Sequence, residues 1–292
     1  MTTFAQWVSG ARPRTLPAAV VPVLIGVAVA TDYEPESSRL WPNSLLALVV
    51  SVALQVAVNY ANDYSDGIRG TDDSRRGPLR LTASGTAAPQ AVKRAAFAAF
   101  GLAAIAGAAL ATRTTWWLVP LGVVCIVAGW TYTGGPKPYG YAGLGEVFVF
   151  VFFGLVATAG TTFVVSGAVT RLSLTSGAMA GFLAMALLVV NNIRDIDTDV
   201  TSGKRTLAVR LGHERARHAY VACFLGAGLS IAVAALDVPF AVLGLAGLLA
   251  ALPAISAVRS THSPAVLIGA LGMTARVQLV VGALYSLGLV IQ

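Results

Sequence analysis

Charge is scarce in this chain. Only 11% of its 292 residues are charged, against 56% hydrophobic. Cysteine is scarcer still. Cys125 and Cys223 both lie inside apolar runs, which excludes a disulfide scaffold or a thiolate metal centre. The three histidines, His213, His218 and His262, fall in polar stretches without metal-ligand spacing. The chain has no G-x-x-x-x-G-K-[ST] loop and no G-x-S-x-G elbow, so nucleotide hydrolysis and serine chemistry have no support. The D-G-x-x-A-R signature of phosphatidyl-type alcohol transferases is missing too. The opening MTTFAQWVSGARPRTLP is not expected to be a cleaved signal, because no short apolar core ends in a small-residue cleavage site.

Long uncharged runs dominate what is present. Most exceed the roughly 17 residues that cross a bilayer as a helix. They predict an all-α, polytopic membrane bundle of nine transmembrane helices, as a single domain over 1–292. The spans are placed at 15–31, 43–62, 95–112, 114–133, 145–169, 172–193, 218–236, 238–258 and 267–290, the last interrupted by Arg276. Basic residues are distributed unevenly around them. The N-terminal segment and the loops after spans two, four, six and eight hold sixteen lysines and arginines, while the other side holds Arg39, Arg113 and Arg171. That asymmetry puts the first group in the cytoplasm, with the C-terminus on the opposite side. It also accounts for the net charge of +7 without a nucleic-acid partner. The expected location is a bacterial plasma membrane.

Seven of the thirteen acidic residues gather in two clusters, at the cytoplasmic ends of spans two and six. The first, NYANDYSDGIRGTDD, carries Asp63, Asp66, Asp72 and Asp73. The second, NNIRDIDTDVTSGKRT, carries Asp195, Asp197 and Asp199. Carboxylates beside a bilayer are costly unless they pair or bind a cation. Asn59, Asn62, Asp63 and Asp66 are spaced by three and four, so a helix puts them on one side. Asn191 or Asn192, Asp195 and Asp199 repeat that spacing, and Asp197 points elsewhere. Hard oxygen ligands of this kind suit Mg²⁺, with Asn62, Asp63, Asp66, Asp72, Asp195 and Asp199 as candidate ligands. Such cations would in turn hold a polyphosphate. Capping or pairing with nearby arginines is the simpler reading of any one aspartate, but it does not account for two matched clusters.

A diphosphate also needs fixed basic groups. Arg12, Arg76, Arg80, Lys204 and Arg205 are candidates, with Arg14 and Arg69. Lys137 stands out as the sole charge in the glycine- and proline-rich YTGGPKPYGYAGLG. Glu146 begins span five and is a candidate as an ionisable group at a membrane boundary. Tyr132, Tyr139 and Tyr141 are either interface aromatics or pocket walls. Gln55 and Gln278 suit helix–helix hydrogen bonding.

These residues resemble the UbiA superfamily of intramembrane prenyltransferases. Its first motif, N-D-x-x-D-x-x-x-D, matches Asn62, Asp63 and Asp66, but Gly70 takes the last position. The N-D-Y-x-D-x-x-x-G-x-D form is similar to the naphthoate branch of the family. RPRTLP, GPLRL, YTGGPKP and GKRTLAVRLG are similar to that branch as well. The second motif, D-x-x-x-D, matches Asp195 and Asp199. The resemblance implies nine helices and two Mg²⁺ ions bridging the aspartates to a polyprenyl diphosphate. It further implies Lys137 and the arginines on the remaining phosphate oxygens, and an aromatic acid acceptor, 1,4-dihydroxy-2-naphthoate, prenylated with loss of CO₂. Other acceptors, such as 4-hydroxybenzoate or homogentisate, use the same ionisation step. A cation-coupled transporter would place its carboxylates near the bilayer midplane instead.

Overall fold

The computed structural model describes residues 2–33, 36–71 and 79–291, and the described residues form helices and turns without a strand. A short helix, α1 (Phe4–Gly10), precedes the bundle. Thr3 caps it, its hydroxyl accepting from the Gln6 amide while the Gln6 side chain accepts from the Thr3 amide. The chain then bends by 54° through Pro13–Thr15 into α2 (Pro17–Thr31). Arg12 sits at this bend with φ 54°, the one non-glycine residue in the left-handed region among those described.

The remaining helices are α3 (Ser37–Ile68), α4 (Pro89–Arg113), α5 (Leu118–Thr131), α6 (Gly145–Val149), α7 (Ala157–Ser166), α8 (Arg171–Thr201), α9 (Leu207–Ala234), α10 (Leu243–Leu248), α11 (Leu252–Ser260) and α12 (Pro264–Val290). A π-helical segment, Phe150–Val156, joins α6 to α7. Counting the continuous runs 145–166 and 239–260 once each, seven helices among the described residues are long and apolar enough to cross a membrane. The bent α1–α2 pair and the shorter α5 complete the nine expected segments. The apolar length and this count mark a multi-pass membrane protein.

Helix α8 runs through the centre, packed against α9, α12, α2, α7 and the π segment. Its N-terminus is fixed by a capping box between Thr170 and Ser173. Met179, Leu183, Ala186, Val190 and Ile193 bury its apolar side. Gly154, Gly177 and Gly181 let the π segment lie directly on α8. A Cβ on Gly154 would stand 2.4 Å from the Gly181 Cα. Small residues that permit backbone contact are how helices associate where the hydrophobic effect is weak. A second cluster joins α3 and α4 through Ala57, Tyr60, Ala61, Val92, Ala96 and Phe100, with Leu81 inserted from the loop between them.

Two boundaries differ from those expected from apolarity. Span two ends at 62 and span six at 193 in the sequence reading, whereas α3 continues to Ile68 and α8 to Thr201. At 1.5 Å per residue these helices are each about 45 Å long, well beyond a hydrocarbon core of about 30 Å. Their polar ends therefore project past the apolar region, and the aspartates lie on those ends.

Candidate active site

Near the end of α3, Asn59, Asn62 and Asp66 line one cavity. Each is held by neighbours. The Asn59 amide donates to the Ala11 carbonyl at 2.8 Å and to Thr15 Oγ1 at 3.1 Å. Gln55 donates to Thr15 Oγ1 and to Asn59 Oδ1, so it ties α3 to the bend before α2 and braces Asn59 within α3. Asn62 Oδ1 accepts from the Thr133 hydroxyl at 2.7 Å.

Asp66 bridges to two further elements. Oδ1 accepts from the Tyr141 hydroxyl at 2.6 Å, and Oδ2 pairs with Lys204 Nζ at 3.1 Å. Both ends of the ion pair are buried. Lys204 lies 4.8 Å from the centre of the Tyr141 ring, and Arg69 lies 5.5 Å from it. Arg69 is itself anchored to the Thr133 and Gly135 carbonyls. Burial, and then the negative Asp66, push the Tyr141 phenol well above its usual range. The group stays protonated near neutrality and keeps donating to Asp66.

Helix α8 presents Asn191, Asn192, Asp195 and Asp199 to the same cavity. Arg194 joins them. Its guanidinium forms two 2.7 Å bonds to Asp195 and a 2.9 Å bond to Asn191 Oδ1. The Thr206 hydroxyl lies 3.4 Å from Asp199 Oδ2, and the Lys204 amide donates to the Asp199 carbonyl at 2.8 Å. The α8–α9 turn thus fixes Lys204 by its backbone and aims the ammonium at Asp66 on α3. Asp197 is exposed and faces His213, as the spacing predicts.

The cavity encloses about 740 Å³. Its polar end gathers the residues above with Arg12, Arg14 and Arg80. Arg12 Nη2 is buried without a hydrogen-bond partner among the described residues. The rest is apolar, lined by residues such as Leu54, Leu110, Leu121, Val156, Leu187 and Leu271. An aromatic ladder runs down one wall. Tyr132 and Tyr139 meet edge-on at 5.5 Å, Tyr139 stacks on Phe148 at 3.9 Å, and Phe148 continues to Phe152. Tyr132, Tyr139 and Tyr141 are therefore pocket walls rather than interface aromatics.

Several expected site residues lie elsewhere. Asp63 is 1% exposed and does not line the cavity. Its Oδ2 accepts from the Leu81 amide and its Oδ1 from the Thr82 amide, both at 2.8 Å. At about 100° per residue, Asp63 lies about 60° from Asp66 and about 100° from Asn62, on the flank toward the 79–87 loop. Its assignment to a shared metal face is thereby corrected. Lys137 is exposed and outside the cavity walls. Its turn points outward, and Lys204 supplies the buried ammonium instead. Arg205 is exposed too, its backbone amide bonded to the Tyr141 carbonyl. Glu146 is buried behind the wall and accepts from Asn192 Nδ2 at 2.9 Å. Asp72 and Arg76 lie outside the described residues. Arg194 was the residue that sequence reasoning passed over. A lone arginine inside an acidic cluster was the available signal.

Oxygen donors from Asn62, Asp66, Asp195 and Asp199 face one space, and this donor set fits Mg²⁺. Among the described residues, no three Asp, Glu, His or Cys side chains converge into a cage.

The chain is 50% identical over 260 residues to the 1,4-dihydroxy-2-naphthoate octaprenyltransferase of Mycobacterium tuberculosis, covering 89% of this chain and 88% of that one. It is 38% identical to the Escherichia coli protein of the same name, over 75% and 72% of the two chains. Its fold is similar to a UbiA homolog from Archaeoglobus fulgidus solved with GPP and Mg²⁺. The TM-score is 0.66 at 16% identity, over 96% and 99% of the chains. The model of the UbiA prenyltransferase family matches residues 19–284, and the chain belongs to that family.

Proposed function

We propose that the protein transfers a polyprenyl group from its diphosphate to 1,4-dihydroxy-2-naphthoate with loss of CO₂, a step of menaquinone biosynthesis that gives the demethylmenaquinone skeleton. The observation that carries this reading is one cavity with a carboxylate, amide and guanidinium end and a long apolar remainder. A prenyl diphosphate has the same two-part chemistry. The names of the relatives supply the acceptor class.

Asp66, Asp195 and Asp199, with Asn62, would hold the divalent cations, two Mg²⁺ in this reading. When bound, Mg²⁺ supplies Lewis-acid stabilisation of the departing diphosphate. Lys204, Arg194, Arg12 and Arg80 line the same cavity and would bind the remaining phosphate oxygens by charge-assisted hydrogen bonds. Asn59 and Asn191 orient the polar end, Glu146 fixes the Asn192 amide, and Tyr141 holds Asp66. The allylic C–O bond breaks with its electron pair going to the diphosphate. Tyr132, Tyr139, Phe148 and Phe152 exclude water from the electron-poor carbon and offer π-faces to it. The ring carbon bearing the acceptor's carboxylate then bonds to the prenyl carbon. The C–CO₂ bond breaks, its pair restores aromaticity, and no proton has to be removed.

In this reading the carboxylate-bearing end faces the cytoplasm and the protein sits in a bacterial plasma membrane. The test uses acceptor labelled at the carboxyl carbon with prenyl diphosphate and Mg²⁺. One labelled CO₂ per prenylated product is expected. Product that keeps the label, or turnover only with 4-hydroxybenzoate, would move the chain to another acceptor.

A further inference from the structure

Asp63 belongs to the aspartate-rich segment by sequence, yet its carboxylate is spent on backbone. Both oxygens receive 2.8 Å bonds from successive amides of the α3–α4 loop, those of Leu81 and Thr82. One turn along α3, Gly67 completes the seat. A Cβ there would stand 2.4 Å from Thr82 Cγ2. Leu81 is fully buried between α3 and α4, and its side chain also fills the space left by Gly10, where a Cβ would stand 2.6 Å away. The loop is closed on itself as well. The Ser84 amide donates to the Arg80 carbonyl, and the Ala87 amide to the Leu81 carbonyl. Thr2 Oγ1 donates to the Thr86 carbonyl, tying the N-terminus to it. Arg80, the residue just before the clamped pair, lines the polar end of the cavity.

We propose that Asp63 is a positioning residue: with Gly67 it clamps the 80–87 loop by its backbone and so sets Arg80 into the diphosphate end of the cavity, rather than binding metal itself. The aspartate-rich end of α3 then has two faces with separate tasks. Asn59, Asn62 and Asp66 meet the substrate, while Asp63 and Gly67 hold the loop. A carboxylate suits this clamp because it offers an acceptor to each of two parallel N–H groups. An asparagine would present an NH₂ to one of them. The inference rests on the donor assignment above for the role of Arg80, but the clamp itself can be read without any substrate.

The experiment uses the full chain in lipid nanodiscs as wild type, Asp63→Asn, Gly67→Ala and Arg80→Ala, with the Asp63→Asn/Arg80→Ala double variant. Hydrogen exchange over residues 79–87 is expected to quicken about tenfold or more in Asp63→Asn, the loss expected for a hydrogen bond to a charged group, while peptides of α8 stay unchanged. At saturating Mg²⁺ the donor KM should rise by about the same factor, with the Mg²⁺ half-activation concentration held within about twofold. Asp63→Asn should add less than about twofold to Arg80→Ala, since both act through one side chain. Gly67→Ala leaves the acid intact and displaces Thr82, so it should reproduce the donor KM effect even where an Asp63 variant fails to insert. Unchanged exchange in Asp63→Asn overturns the clamp. A tenfold shift in Mg²⁺ requirement with normal donor KM, or fully multiplicative effects with Arg80→Ala, overturns the positioning role. If none of these proteins turns over the naphthoate donor pair, the exchange data still decide the clamp, and the failure falls on the proposed reaction alone.

Discussion

Lys137 and Lys204 show how far single residues can be read from sequence. Lys137 draws attention as the sole charge in a rigid loop, but its turn carries it out to solvent. Lys204 looks like one more cytoplasmic cation, yet it is buried against Asp66 with its ammonium over Tyr141. Which lysine is inside depends on how the α8–α9 turn docks on the Tyr139–Ala142 turn, through the Arg205 amide to Tyr141 carbonyl bond. No local sequence pattern encodes that contact. Lys204→Met should therefore lower kcat/KM for the donor by roughly ten- to a hundredfold, the range for a hydrogen bond to a charged group. It should also cost stability, because Asp66 is left buried without its partner. Lys137→Ala should stay within about twofold of wild type. Steady-state kinetics of both variants at saturating Mg²⁺ check this, and the reverse ranking would return the phosphate role to Lys137.

At the scale of elements, the helices were legible because apolar runs of bilayer length have few alternatives. Their ends were less so. The α8 reading stopped at 193 where apolarity stops, while the helix continues on the i, i+4 spacing of Asn191, Asp195 and Asp199. Helix α1 is marked in sequence only by its Thr3-x-x-Gln6 capping pattern, and the π segment has no signal of its own. FVFFGLV at 150–156 is as apolar as any ordinary span. What distinguishes it is a partner distant in sequence: Gly177 and Gly181 on α8 accept the backbone at Gly154. Phe152, Phe153 and Val156 from this segment line the cavity, so helix packing and pocket shape are one property here. Gly154→Ala would place a methyl 2.4 Å from the Gly181 Cα and 2.6 Å from the Gly177 carbonyl oxygen. Neither is a flexible side-chain end, so α8 and the π segment must separate. A loss of about 1–3 kcal/mol is expected for such overpacking, with a lower kcat because the aromatic wall moves. Gly101→Ala on α4, where a Cβ meets nothing within 4 Å, should change stability by no more than about 1 kcal/mol. Denaturation of the two variants in detergent, side by side, makes the comparison.

For the whole molecule, charge and length combine to give the site its side. In the sequence, sixteen of the twenty basic residues precede span one or follow spans two, four, six and eight, and three fall in the alternate connections. The projecting ends of α3 and α8 lie at the basic end, where their aspartates meet Lys204, Arg194, Arg12 and Arg80. The same cations therefore serve two purposes. By the positive-inside rule that end is expected on the cytoplasmic face, and there the cations surround the carboxylates with partners for an anionic donor. Because topology alone demands basic residues there, the sequence could not say which of them also line the cavity. Arg205 is exposed at this end, and Ser37 is exposed at the other, where α3 begins. The native thiols interfere little, Cys223 being buried and Cys125 half-buried in the cavity wall. On a Cys125→Ser background, Arg205→Cys should react with a membrane-impermeant maleimide in inverted vesicles and stay protected in right-side-out ones. Ser37→Cys should show the opposite pattern. Labelling of Arg205→Cys from the outer face would reverse the orientation, and would require the prenyl diphosphate to reach the carboxylates from outside the cell.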